Sequence, residues 1–183
     1  MPMVPDCAKR NDRILLDVHR QENFLNEGRL RGIIDLAKNA HEYYGLPVEI
    51  IGFKRTITKL IEFGIDISPI KICQLMSFPD YIDKAYHSKL VISDSGTAQE
   101  ELAFLKTPVI VPRDQTERKE SMDHHCSKLL RNVGDPIDYI ELFKSLEDLT
   151  FDVSWLGDGN TSEKIVQIIK LSIDQYSALY GNK

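Results

Sequence analysis

Asp94-Ser95-Gly96-Thr97-Ala98-Gln99-Glu100-Glu101 joins residue types that can hold a nucleotide. A small Ser-Gly turn there follows an apolar run directly. The first turn of a helix has free backbone N–H groups and a positive dipole end, so it attracts phosphate. Gly96 has no Cβ and lets an anion approach the backbone. Thr97 follows it, and Glu101 lies further on, where a carboxylate can accept from ribose hydroxyls. The same residues also read as a plain helix start, with Asp94 or Ser95 as cap and the glutamates on a solvated face. Spacing alone favours that face for the glutamates. It leaves the phosphate and cap readings of the turn balanced.

A second segment is His19-Arg20-Gln21-Glu22-Asn23-Phe24. His19 and Arg20 together can neutralise or position a departing diphosphate, although a lone histidine is more often structural. A third, Arg113-Asp114-Gln115-Thr116-Glu117-Arg118-Lys119-Glu120, is dense in charge. It reads either as a loop facing a sugar or phosphate, or as a surface loop laced with weak ion pairs. His124 and His125, between Asp123 and Cys126, do not form a metal site, because neighbouring side chains on a helix diverge. Gly157-Asp158-Gly159-Asn160-Thr161-Ser162 reads as a turn into a helix cap.

Apolar runs and helical spacing alternate around these segments. Strands are expected over 14–18, 48–51, 70–73, 90–93 and 109–111, with a sixth near 128–130. Helices are expected over 27–44, 56–63, 80–87, 97–105, 136–146 and 162–179. Ile165, Ile169 and Ile173 should give the last helix an inward face. Such alternation predicts a doubly wound, Rossmann-like α/β domain with a parallel sheet of about six strands, whose ligands sit at the carboxyl ends of the strands. All three charged or glycine-bearing segments fall there, so His19, Ser95, Gly96 and Glu101 should converge. Residues 1–11 read as a tail or linker remnant, and 12–183 as the domain.

The chain has 183 residues, a net charge of −5 and 42% hydrophobic residues. That length buries a sizeable core. Mild acidity argues against nucleic-acid binding, which needs clustered positive charge. No run approaches membrane-span length. The N-terminal residues Met1–Arg10 lack the apolar stretch of a secretory leader. Cys7, Cys73 and Cys126 form no Cys-x-x-Cys pair and read as reduced thiols of a cytoplasmic protein, Cys73 in a buried strand.

Taken in order, the motifs resemble the carboxyl-terminal domain of the non-hydrolysing UDP-N-acetylglucosamine 2-epimerases. His19 to Phe24 matches a His-Arg-x-Glu-Asn/Ser-Phe motif. Asp94 to Glu101 matches Asp-Ser-Gly-Gly-x-Gln-Glu-Glu, with Thr97 for the second glycine. Arg113 to Glu120 matches Arg-Asp-x-Thr-Glu-Arg-Pro-Glu, with Lys119 for proline. Gly157 to Gly159 matches Tyr-Gly-Asp-Gly, with Leu156 for tyrosine. Gly52-Phe53-Lys54-Arg55 replaces a His-Pro-Asn-Pro-like stretch, and His125 stands where the family has glycine.

The resemblance implies one half of a GT-B-type two-domain fold with UDP in the cleft between the halves. It implies Ser95, Gly96 and Thr97 at the diphosphate and Glu101 at the ribose. His19, as the catalytic residue, and Arg20 would face the departing diphosphate. Phe78 and its neighbours through Tyr81 would cradle the uracil, and Arg113 and Glu117 would lie on the sugar side. The family's reaction eliminates UDP and returns it with inversion at C2, using carboxylates of the amino-terminal domain. The expected partners are therefore UDP or UDP-N-acetylglucosamine and an N-terminal domain, in cis or in trans. A homo-oligomer is allowed; no cofactor, metal, nucleic acid or membrane is called for. The alternative is a stand-alone, catalytically inactive UDP or UDP-sugar binding module acting through a partner.

Overall fold

Six parallel strands form one sheet in the order β3-β2-β1-β4-β5-β6. They are β1 (Arg13–Asp17), β2 (Val48–Ile51), β3 (Lys71–Cys73), β4 (Ser88–Ser93), β5 (Val109–Val111) and β6 (Ser127–Leu129). The helices are α1 (Gln21–Phe24), α2 (Glu27–Tyr44), α3 (Lys54–Glu62), α4 (Phe78–Tyr86), α5 (Gly96–Leu105), α6 (Lys119–Asp123), α7 (Tyr139–Ser145) and α8 (Thr161–Tyr180). This computed structural model describes residues 12–180, with side chains to residue 176. The tail expected over 1–11, with Cys7, lies outside the described residues.

Strand alternation explains the two-sided sheet. Ile14, Leu16, Ile50, Leu90, Ile92 and Ile110 face α2, α3 and α7, where they meet Leu30, Ile33, Leu60 and Phe143. Leu15, Val91, Val109 and Val111 point the other way, onto Ala85 of α4 and Ala98 and Leu102 of α5. Period-two side chains buried on both faces are what a parallel sheet covered by helices requires. The expected doubly wound fold is the one observed. Its strand order reverses direction between β1 and β4, and that switch point opens a crevice at the strand ends.

Local chemistry sets the element ends. Asn26 caps α2 by accepting from the Arg29 N–H, and Gly45 closes it in the left-handed conformation at φ 67°. Gly32 of α2 lies against the 133–135 loop, where an added Cβ would stand 2.5 Å from the Gly134 nitrogen.

Some expectations need correction. β3 is an edge strand paired only to β2, so Cys73 is half-buried rather than in a buried strand. The helix expected from Pro136 begins at Tyr139, where Asp138 caps it through the Glu141 N–H. Short helices α1 and α6 were not anticipated. The described chain divides into two compact units, Met1–Asp152 and Val153–Lys183. In the second, Ile165, Ile169 and Ile173 do not form a buried face; they are 50%, 52% and 58% exposed. A helix preceded by one 3-10 turn has no second layer within its own unit to cover them.

Candidate functional site

β1 and β4 lie side by side with Asp17 opposite Ser93, and the site grows from that pair. The Ser93 hydroxyl donates to Asp17 Oδ2 at 2.8 Å. The other oxygen, Oδ1, meets His19 Nδ1 at 3.0 Å. Asp94, the next residue after β4, is fully buried. Its two oxygens accept from the backbone N–H groups of His19 and Arg20, each at 3.0 Å, and from Asn23 Nδ2 at 2.9 Å. A buried carboxylate needs such donors. Asp94 thereby fixes the loop after β1 against the end of β4, which explains how two distant motifs share one crevice. Burial pushes its carboxyl pKa up, while Asn23 and the two N–H donors pull it back.

His19 thus stands between two acids, with Asp94 Oδ1 3.5 Å from Nδ1. Its pKa is raised, first by the hydrogen bond with Asp17 and then by the charges of Asp17 and Asp94; burial and Arg20 act in the opposite sense. The ring also packs on Phe53, centroid to centroid 5.0 Å.

His19, Ser95, Thr97 and Glu101 line one cavity of about 300 Å³, together with Asp17, Phe53, Phe78 and Tyr81. The expected convergence of His19, Ser95 and Glu101 is met, and the aromatic segment beginning at Phe78 joins it. Ser95 is the N-cap of α5, accepting from the Ala98 N–H, and its hydroxyl lies 3.2 Å from that of Thr97. The cap and phosphate readings of this turn are therefore compatible. The two glutamates divide. Glu100 pairs with Arg118, whereas Glu101 faces the cavity, its pKa raised by burial and by the charges of Asp17 and Glu100. The Tyr81 hydroxyl is enclosed with no partner at good hydrogen-bond geometry, and its pKa is raised first by burial and then by the charges of Asp17 and Glu101.

Arg20, Gly96, Arg113 and Glu117 are not part of the cavity lining. They form a charged cluster at the start of α5. Glu117 Oε1 meets Arg20 at 2.9 Å and Oε2 meets Arg113 at 2.8 Å. Arg113, nearly buried, also reaches Glu22 at 2.8 Å. The Glu117 carboxyl is drawn down to about 2, by its own backbone N–H first and then by Arg113 and Arg20. Among the described residues no cluster of three metal-ligating side chains exists. No described helix is long and apolar enough to cross a membrane.

A family model described as UDP-N-acetylglucosamine 2-epimerase matches residues 3–170. The chain belongs to this family. The UDP-N-acetylglucosamine 2-epimerase of Methanocaldococcus jannaschii is 32% identical over 168 residues, 87% of this chain and 44% of that protein. Its crystal structure in complex with UDP-GlcNAc and UDP superposes with a TM-score of 0.73 at 28% identity, covering 90% of this chain and 46% of that one. A relative in Pseudomonas aeruginosa, named UDP-2,3-diacetamido-2,3-dideoxy-D-glucuronate 2-epimerase, is 27% identical over 88% of this chain and 45% of its own length. The chain spans less than half the length of these relatives. It is a half-length epimerase-family domain, as the motifs suggested.

Asp17 escaped sequence reasoning because it was absorbed into an apolar run. The available signal was a charged residue between Leu16 and Val18, in a strand that must be buried on both faces.

Proposed function

We propose that this chain is the UDP-sugar-binding half of a cytoplasmic UDP-N-acetylglucosamine 2-epimerase, completed for catalysis by an N-terminal domain in cis or in trans. One observation carries the reading. Residues from three separated motifs, His19, Phe78 and the Ser95–Glu101 stretch, meet around a single cavity at the switch point of the sheet. In that arrangement the diphosphate lies over the start of α5, where free N–H groups and the helix dipole favour an anion. Ser95 and Thr97 add hydroxyl donors, Glu101 accepts from the ribose, and Phe78 offers an aromatic face to the uracil. His19 and Arg20 supply positive charge at the diphosphate, which is where elimination of UDP builds negative charge. Arg113 and Glu117 stand towards the sugar.

Calorimetric titration tests this. UDP and UDP-N-acetylglucosamine should bind with micromolar to millimolar affinity, roughly −4 to −8 kcal/mol. Half a cleft leaves the ligand partly solvated and loses buried contact. Uridine, without phosphates, should bind more weakly still. Equal binding of UDP and uridine would refute the phosphate role of the α5 turn. The name of the Pseudomonas relative makes the sugar a separate question. A UDP-diacetamido-glucuronate titrated beside UDP-N-acetylglucosamine answers it.

A further inference from the structure

The imidazole of His19 has two nitrogens, and among the described residues only Nδ1 has hydrogen-bonding or charged partners. Nδ1 lies 3.0 Å from Asp17 Oδ1, whose other oxygen is held by the Ser93 hydroxyl at 2.8 Å. Asp17 is therefore fixed at both oxygens and is only 5% exposed. It cannot rotate away without leaving a buried carboxylate unpaired, a costly change. With Nδ1 committed to donating, Nε2 is the ring atom left for the cavity that His19 lines. A neutral ring would then present a lone pair at Nε2, which repels a phosphate oxygen. A charged ring presents an N–H donor there.

We propose that Asp17 is a positioning residue for ligand binding: it holds His19 as an imidazolium with its Nε2–H turned to the cavity, so that the site selects an anionic, diphosphate-bearing ligand. The inference rests on the UDP-sugar reading of the site. The acids facing the ring outnumber the one cation near it. Asp17 from β1 and Asp94 after β4 favour the cation, as does the raised pKa of the ring. Arg20 on the same loop opposes it. Across the cavity stand Glu101 of α5, a further acid, and Tyr81 of α4, whose raised pKa keeps the phenol neutral. Phe53 supplies an uncharged face.

The sign of the pH effect follows. A raised histidine pKa means that the cation is complete below the ordinary value and is lost as pH rises through the raised one. Ligand affinity should fall across that same window. UDP-N-acetylglucosamine is the suitable probe, because its diphosphate is a diester and has no proton to lose there, unlike UDP.

The experiment follows the His19 ring by NMR in the full chain, assigned with His19→Gln, and measures UDP-N-acetylglucosamine affinity across pH. Wild type is compared with Asp17→Asn, which keeps size and removes charge. Asp17→Thr, well suited to a strand, serves as a second variant should the first fail to fold. The expected result is a His19 pKa lower by about one unit in the variant, equivalent to a tenfold change in the proton equilibrium. Affinity should be about tenfold weaker above the variant's His19 pKa. Below it, where both rings are charged, the two proteins should bind alike. An unchanged His19 titration, or an affinity loss equal at every pH, overturns the proposal. If the ring titrates as expected but the wild-type chain binds no UDP-N-acetylglucosamine at any pH, the UDP-sugar reading fails, and the ligand role of Asp17 fails with it. The Asp17–His19 pairing would nevertheless be established.

Discussion

The Glu117 carboxylate covers Gly96: its Oε1 lies 2.5 Å from the point where a Cβ on that glycine would stand. Arg20 and Arg113 pin it there. An acidic side chain thus rests against the helix start that would receive a diphosphate. Two consequences can be measured. Gly96→Ala displaces only the flexible end of Glu117 but puts a methyl group at the helix start, where an anion must come close to the backbone, so UDP should bind more weakly while the fold is kept. Glu117→Gln removes a negative charge beside the incoming anion and frees Arg20, so affinity should rise by about 1 kcal/mol, the size of a water-screened charge interaction at close range, since Glu117 is partly exposed. Weaker binding of UDP by Glu117→Gln would show that the carboxylate holds the ligand instead. The Glu117 pairing should also be visible in stability against pH. Its depressed pKa makes the contribution complete above the ordinary value of 4.5, and lost as pH falls from there through about 2.

Asp94 joins the two halves of the site, so its loss should cost stability as well as binding. Asp94→Ala leaves the His19 and Arg20 N–H groups without their acceptor, and leaves the Asn23 amide with the Pro112 carbonyl alone. The expected cost is about 3 kcal/mol in denaturant unfolding, since an unsatisfied buried donor costs ~1–3 kcal/mol. Asp94→Asn keeps one acceptor and should cost less. Equal stability of Asp94→Ala and wild type would show that water readily replaces the carboxylate.

The fold was legible because apolar runs of strand length alternate with helical spacing, and a chain with that pattern has few ways to bury both. Strand-end chemistry was legible for the same reason: the fold brings the ends of β1 and β4 together whatever follows them. The role of Asp94 was not. Its sequence context advertises a helix cap, and Ser95 takes that role instead. Asp17 was hidden by its apolar neighbours. His125 is a case where a motif departure acquires meaning in the structure. The family pattern has glycine there, and the histidine adopts φ 54°, the left-handed region that glycine enters without strain. The exposure of the α8 stripe could not be read from its spacing, because periodicity identifies an apolar face but not what covers it.

Gly32 and Gly134 offer a test of backbone packing, at a contact that involves no side chain. A Cβ on Gly32 would meet backbone, 2.5 Å from the Gly134 nitrogen and 2.7 Å from its Cα. Gly134 itself has φ 111° and cannot readily exchange for another residue. Gly32→Ala gains helix propensity but overpacks the contact, so the net effect should be a loss of about 1–3 kcal/mol. Thermal unfolding measures it. A stabilised variant would mean that the 133–135 loop yields freely.

The isolated chain should show no epimerase activity. Exchange at C2 of the sugar requires a base within hydrogen-bond reach of that proton. The family resemblance assigns the acid–base carboxylates to an amino-terminal domain, and this chain spans less than half the length of its relatives. Its own acids are committed elsewhere. Asp17 and Asp94 hold His19 and its loop, Glu100 pairs with Arg118, and Glu117 is held between two arginines. Glu101 lines the cavity, and the proposed function gives it the ribose. In the proposed function a single cleft wall would also leave the sugar in water, which would weaken the help proposed for His19 and Arg20 at the departing diphosphate. The check is incubation of the pure chain with UDP-N-acetylglucosamine in deuterated water, followed by NMR of C2. Neither deuterium at C2 nor the manno epimer should appear. Activity gained only when an amino-terminal epimerase half is added would support the split-enzyme reading over a stand-alone binding module. Exchange by the pure chain would place a base in this domain, or in a second copy of it, and a rate per chain that rises with protein concentration would single out the second copy.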